Sequence, residues 1–171
     1  MKKRHSIAWF GLSADPPTLG HRHVVEEALK SQLFDTVIVF PAGKLPYKKF
    51  QASDEERLAM LKLWKKAAGF GKNVILSDFE LKRKKANAWI DLWHMVNRLL
   101  PGVQHTLVLG SDQFRSIEKK WVKGKDLLGS ATFFVVERTR KESSTKARAG
   151  QLSQVDELVK KYILRKKLYK P

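Results

Sequence analysis

Short runs of β-branched and aromatic residues alternate along the chain with longer stretches whose apolar positions recur at helical spacing. Ile7-Ala8-Trp9-Phe10 reads as a strand. A turn-rich stretch from Gly11 to Pro17 leads into a helix from about Leu19 to Ser31. Thr36 to Phe40 is a second strand, nearly all β-branched or aromatic, bounded by Pro41. Ser53 and Glu56 are spaced as a capping box, so a helix opens there, with Leu58, Leu61 and Trp64 on its buried face and Lys62, Lys65 and Lys66 exposed. Asn73 to Leu76 is a third strand. Asn87 is placed to cap a helix carrying Ile90, Trp93, Val96 or Asn97, and Leu100, stopped by Pro101-Gly102. Thr106 to Leu109 and Ala131 to Val136 are two further strands, and Val155 to Tyr169 is a basic amphipathic helix.

Strands alternating with helices predict an α/β chain: a doubly wound, parallel, five-stranded sheet with helices on both faces. In such sheets ligands bind beyond the carboxyl ends of the strands, where strand order reverses. The loops after Phe10, Phe40, Leu109 and Val136 are therefore where chemistry is expected. At 171 residues, with no repeat and no dividing linker, the chain is expected to form one domain.

Composition narrows the chemistry. The absence of cysteine excludes disulfides, thiolate metal sites and a cysteine nucleophile. The apolar runs fall far short of the roughly 20 residues that span a bilayer. The basic start Met1-Lys2-Lys3-Arg4 is followed by an apolar run that breaks at Gly11, too short for a signal core. A soluble cytoplasmic protein is expected. The charge is lopsided: 34 Lys and Arg against 17 Asp and Glu, a net +17. Such a field attracts nucleotides, nucleic acid or an acidic membrane surface, or serves solubility alone.

The first loop, Gly11-Leu12-Ser13-Ala14-Asp15-Pro16-Pro17-Thr18-Leu19-Gly20-His21, is the most unusual stretch. Gly11 and Ser13 let a backbone approach a ligand closely, and two prolines stiffen the loop. The helix that follows turns its free N–H groups and positive dipole end toward it. Thr18 and His21 lie three apart and share a helix face, where both could contact a phosphate. Read alone, the stretch could equally be an ordinary capped loop with a surface histidine.

These residues resemble a known family. Thr18-Leu19-Gly20-His21 fits the (H/T)xGH signature of the nucleotidyltransferase superfamily. Gly11 to His21 is similar to the first loop of bacterial nicotinate/nicotinamide mononucleotide adenylyltransferases. Pro41 to Lys48 resembles that family's PxxxPPHK loop, Arg57 to Leu61 its RxxML helix, and Gly110-Ser111-Asp112 its GxD. Ser143 to Arg148 matches SSTxxR, and Val155 to Tyr169 the closing VxxYIxxxxLY helix.

The resemblance implies a Rossmann-like fold and transfer of AMP from ATP to the phosphate of a pyridine mononucleotide, with Mg²⁺ and release of pyrophosphate. It implies Thr18 and His21 as catalytic residues holding the ATP phosphates. Gly11, Ser13, Gly20, Gly110, Asp112, Ser144, Thr145 and Arg148 would bind ATP, Asp112 through the ribose. The segment of about 143–171 would complete the ATP site. Lys48, Arg83, Trp89 and Trp121 would bind the acceptor.

The chain also departs from that family. Leu12 stands for a second glycine, Ala14 for phenylalanine and Tyr47 for histidine. The SYTxDT motif is absent; Asn87-Ala88-Trp89-Ile90-Asp91-Leu92 stands there, closer to the WxET of eukaryotic-type enzymes. Trp89 and Trp121 could stack on a pyridine ring or pack in the core. Asp15 reads as a turn-former rather than a metal ligand, and the histidines lack metal-ligand spacing apart from His21 and His23, which point to different sides of a helix, so no protein-built metal site is expected. Two further readings stay open: a nucleotidyltransferase with another phosphorylated acceptor, and a nucleic-acid-binding protein on the same fold. The second rests on +17 and on the clusters around Lys82, Lys119–Lys125 and Arg165–Lys167.

Overall fold

The computed structural model describes residues 5–45, 48–83, 88–137 and 142–169. In chain order the elements are β1 (Ser6–Leu12), α1 (Leu19–Lys30), β2 (Thr36–Pro41), α2 (Asp54–Ala67), β3 (Val74–Leu76), α3 (Trp89–Leu99) and β4 (Gln104–Gly110). Three short helices follow, α4 (Ser111–Phe114), α5 (Ile117–Lys120) and α6 (Gly124–Ser130). Then come β5 (Phe133–Val136), α7 (Ser144–Arg148), a 3-10 turn (Leu152–Gln154) and α8 (Glu157–Lys166).

The five strands are all parallel, in the order β3-β2-β1-β4-β5. The doubly wound sheet expected from the alternating pattern is what the chain forms. The winding direction reverses between β1 and β4, so a crevice opens beyond Leu12 and Gly110. Period-2 alternation in β1 feeds both layers. Ala8, Phe10 and Leu12 pack with Val25 and Ala28 of α1, Met60, Leu61 and Trp64 of α2, and Val159 and Ile163 of α8. Ile7 and Trp9 pack on the other face with Ile90, Trp93 and Val96 of α3, Ile117 of α5 and Leu127 of α6. No helix among the described residues is long and apolar enough to cross a membrane.

Local signals explain most boundaries. Ser53 Oγ accepts from Glu56 N–H (3.2 Å) while Glu56 accepts from Ser53 N–H (2.8 Å), the reciprocal pair expected at that spacing. The buried stripe of α2 is Arg57, Met60, Leu61 and Trp64. Leu58 is only half-buried, a correction whose cause is the buried arginine: a cation in the i, i+3, i+4, i+7 set disguises the true face. Asn87, expected to cap α3, lies outside the described residues; the N-cap is Ala88, whose N–H donates to Asp91 Oδ2 at 3.3 Å. Leu100 does not continue α3. It is 42% exposed and leaves the helical region, as the residue before a proline is sterically driven to do. The terminal helix starts at Glu157 rather than Val155, which is extended.

Candidate active site

Thr18 is the N-cap of α1, in extended conformation and buried to 1% exposure. Its backbone N–H donates to His21 Nδ1 at 2.9 Å, and its hydroxyl lies 2.9 Å from the same nitrogen. This is a capping box in which an imidazole takes the place of the usual Glu or Gln. With Nδ1 accepting, the proton of the neutral ring resides on Nε2. The ring rests beside Phe10, centroids 6.3 Å apart, and Trp64 Nε1 donates to Thr18 O at 3.3 Å. The head of α1 is thereby held from both sides of the backbone.

Two cavities meet at the crevice. The first, about 190 Å³, is lined by Thr18, Gly20, His21, Gly110, Asp112 and Ser144, six of the residues expected at the catalytic and ATP positions. Gly110 makes room there: a Cβ on it would stand 2.9 Å from Asp112 Oδ1. The second cavity, about 500 Å³, is lined by Gly11, Ser13, Glu80, Trp89, Lys120 and Trp121 among others. Gln113 lines both and marks their junction. Gly11 and Ser13, expected on the ATP side, thus stand on the wall of the larger cavity.

The aromatic residues form one assembly. Trp89 and Trp121 stack on each other, centroids 5.4 Å apart and planes 23° apart, and Trp89 also leans on Phe40 at 5.5 Å. Both tryptophans are half-buried. A Cβ on Gly11 would come within 2.7 Å of Trp89 Cζ2, so the glycine lets the indole lie against β1.

The polar residues of the loops bind one another. Lys48 Nζ donates to Ser13 Oγ at 2.8 Å. Desolvation, reinforced by Arg148, pushes the Lys48 ammonium below the ordinary lysine range, while Asp15 opposes the shift and Arg57 adds to it. The α7 segment is tied to the first loop at both ends: Ser144 Oγ donates to Pro16 O at 2.8 Å, and Arg148 Nη1 donates to Asp15 O. Ser143 Oγ caps α7 by accepting from Thr145 N–H, and Thr145 Oγ1 accepts from Arg148 Nη2 at 3.3 Å. Asp15 is deeply buried and accepts from Gln51 and Ala52 N–H, so its carboxylate joins the first loop to the segment ahead of α2, where the sequence suggested a local turn-former.

Arg83 is elsewhere. Its Nη1 lies 3.6 Å from Met95 Sδ, and it lines a separate shallow cavity with His94 and Arg98, sharing only Asp91 with the larger one. Sequence reasoning missed Gln113, Glu80 and Lys120 as wall residues. Lys120 was one of a run of surface cations, and only the turn of α5 brings it to the cavity that Trp121 lines.

Comparison with known proteins agrees with this architecture. The Cytidylyltransferase-like family profile matches residues 9–167. A protein of Aquifex aeolicus named "Probable nicotinate-nucleotide adenylyltransferase" is 31% identical over 154 residues, covering 90% of this chain and 83% of its own. A protein of the same name from Campylobacter jejuni is 34% identical over 113 residues, covering 65% of this chain; the match spans only 60% of that relative's length. Among solved structures, Plasmodium falciparum nicotinic acid mononucleotide adenylyltransferase complexed with NaAD superposes with a TM-score of 0.79 at 18% identity, covering 96% of this chain and 97% of that one. That likeness speaks to the fold. With the profile matched over nearly all of the chain, and the crevice at the point where strand order reverses, the chain belongs to the Cytidylyltransferase-like family, the nucleotidyltransferases.

Proposed function

We propose that the protein transfers AMP from ATP to the phosphate of nicotinate mononucleotide, or of its nicotinamide counterpart, as an adenylyltransferase of NAD biosynthesis. The observation that carries this reading is the Thr18–His21 pair at the head of α1, beside a cavity that Gly110, Asp112 and Ser144 also line. The names of the Aquifex and Campylobacter relatives support the choice of acceptor.

The chemistry follows from the residues. An oxygen of the acceptor phosphate attacks the α-phosphorus of ATP. The bond from that phosphorus to the bridging oxygen breaks, and pyrophosphate leaves with the electron pair. No side chain has to act as a nucleophile; alignment and neutralisation of charge suffice. The N–H groups at the start of α1 and the Nε2–H of His21 face charge that grows on the α- and β-phosphates. The hydroxyls of Ser144 and Thr145, with Arg148, hold the outer phosphates, and Asp112 takes the ribose. Magnesium enters with the substrate as MgATP, shielding the phosphates that carry it. In the larger cavity Trp89 and Trp121 offer flat faces to a pyridine ring, and Lys48, which is not a lining residue but binds Ser13 of the cavity wall, complements the acceptor's phosphate.

Incubation with MgATP and each mononucleotide, with product resolved by chromatography, tests the reading. Dinucleotide and pyrophosphate in equal amounts are expected. Pyrophosphate release only with some other phosphorylated acceptor would overturn the pyridine assignment while leaving nucleotidyl transfer in place.

A further inference from the structure

Asp15 connects the phosphate side of the crevice to a residue well beyond it. Three donors hold its carboxylate. Oδ1 accepts from Ala52 N–H at 3.1 Å and from the Tyr169 hydroxyl at 2.8 Å. Oδ2 accepts from Gln51 N–H at 3.0 Å and lies 3.8 Å from Arg148 Nη1, which spends its hydrogen bond on the Asp15 carbonyl instead. Tyr169 follows α8 with a left-handed backbone (φ 56°), and its ring packs against the core beneath α2, where its oxygen also stands 3.9 Å from Met60 Sδ. Burial, with the adjacent carboxylate, holds the phenol above its ordinary range.

The consequence lies in the geometry of the ion pair. An aspartate with both oxygens open would draw a neighbouring guanidinium into a two-point pair, the strongest arrangement those groups can make. Here the four lone-pair directions are largely taken by two backbone N–H groups and the phenol. Arg148 is left at ion-pair distance without a carboxylate hydrogen bond. Asp15 is also the carboxylate that attracts Lys48, against repulsion from Arg148 and Arg57, so its orientation matters to several cations.

We propose that Tyr169 is a positioning residue: by occupying Asp15 Oδ1, its hydroxyl keeps the carboxylate from closing on Arg148 and leaves the guanidinium set for a substrate phosphate. The proposal rests on the assignment of Arg148 to ATP given above. Without the hydroxyl, Asp15 turns toward Arg148 and competes with the incoming phosphate.

Tyr169→Phe removes the hydroxyl and keeps the packed ring. Binding of MgATP, measured by titration calorimetry without acceptor, is expected to weaken about fivefold or more, the scale of one hydrogen bond's redistribution. The KM for the mononucleotide is expected to stay within about twofold. In an Arg148→Gln background the same change is expected to leave ATP affinity unmoved, because the two act through one contact. Unaltered ATP affinity in Tyr169→Phe, or an equal loss with and without Arg148, would overturn the positioning role and leave a structural one. Wild-type protein that binds MgATP but forms no dinucleotide would overturn the acceptor assignment instead and leave this proposal standing.

Discussion

The guanidinium of Arg57 reaches from α2 to the first loop and donates from Nη1 to the carbonyl of Ser13 at 2.8 Å. The same nitrogen donates to Ala42 O at 2.8 Å, Nη2 pairs with Asp54 at 2.6 Å, and the ring of Phe50 lies 3.8 Å beneath the plane. One fully buried side chain therefore joins the loop after β1 to the loop after β2. Those loops form a wall of the larger cavity, so a packing residue governs the shape of a binding site.

Replacing Arg57 with Met is expected to leave two loop carbonyls unpaired. At roughly 1–3 kcal/mol each, the cost is about 2–6 kcal/mol. Urea unfolding would show it as a lowered midpoint at unchanged slope. Lys cannot span both carbonyls and Asp54 with one ammonium, so Arg57→Lys is expected to recover less than half of the loss. A cost below about 1 kcal/mol for the Met variant would mean that water replaces the guanidinium at both carbonyls.

The strands and long helices were legible because burial on a sheet or a helix face imposes a period on the sequence, and the Ser53–Glu56 box because its two residues need only each other. What hid was carried by contacts distant in sequence. Arg57 was legible only as the head of the RxxML resemblance, since nothing in its neighbours says that Ser13 and Ala42 lie above it. The helices Ser111–Phe114, Ile117–Lys120 and Gly124–Ser130 are too short to show a period, so the approach of Gln113 and Lys120 to the crevice could not be read. Thr18 and His21 were legible as a pair from spacing, but the mutual bond through Nδ1 depends on the extended backbone of Thr18.

His21 is expected to act in turnover far more than in folding. His21→Ala should lower kcat by about 10²–10³-fold, the loss seen when one preorganised donor to a developing charge is removed. The capping contact to Thr18 N–H goes with it, at about 0.5–2 kcal/mol of stability. His21→Asn keeps a short side chain able to accept from Thr18 and should regain stability ahead of rate. Single-turnover kinetics beside thermal melts would separate the two effects; a rate within about threefold of wild type would exclude a role in the transition state.

Lys48 is expected to give the reaction an alkaline limb. Its ammonium is lost at a pH below that of an ordinary lysine, because desolvation and then Arg148 disfavour the charge more than Asp15 restores it. Acceptor KM is therefore expected to rise with pH before the ordinary lysine range is reached. The linkage to stability has the opposite sign. Between the folded and unfolded pKa values the unfolded chain holds more protons at this site, so stability gains from rising pH as acceptor affinity is lost. Lys48→Arg, which cannot titrate in this range, should abolish the limb in KM. A limb that survives in this variant would belong to another group.

The Trp89–Trp121 stack makes a specific claim about additivity. If the pyridine ring binds against these indoles, each Trp→Ala change should raise acceptor KM by about 5- to 150-fold, equivalent to 1–3 kcal/mol of stacking. ATP affinity should hardly move, since neither tryptophan lines the smaller cavity. The rings touch each other, so removing either one disturbs the other, and the double variant should lose less than the sum of the two singles. Trp89→Ala should also cost stability through its contact with Phe40, whereas Trp121→Ala should cost less. Steady-state kinetics on the four proteins, with both substrates varied, would provide the cycle. Strict additivity, or a rise in the KM for ATP equal to that for the acceptor, would show that the stack supports the fold and does not receive the ring.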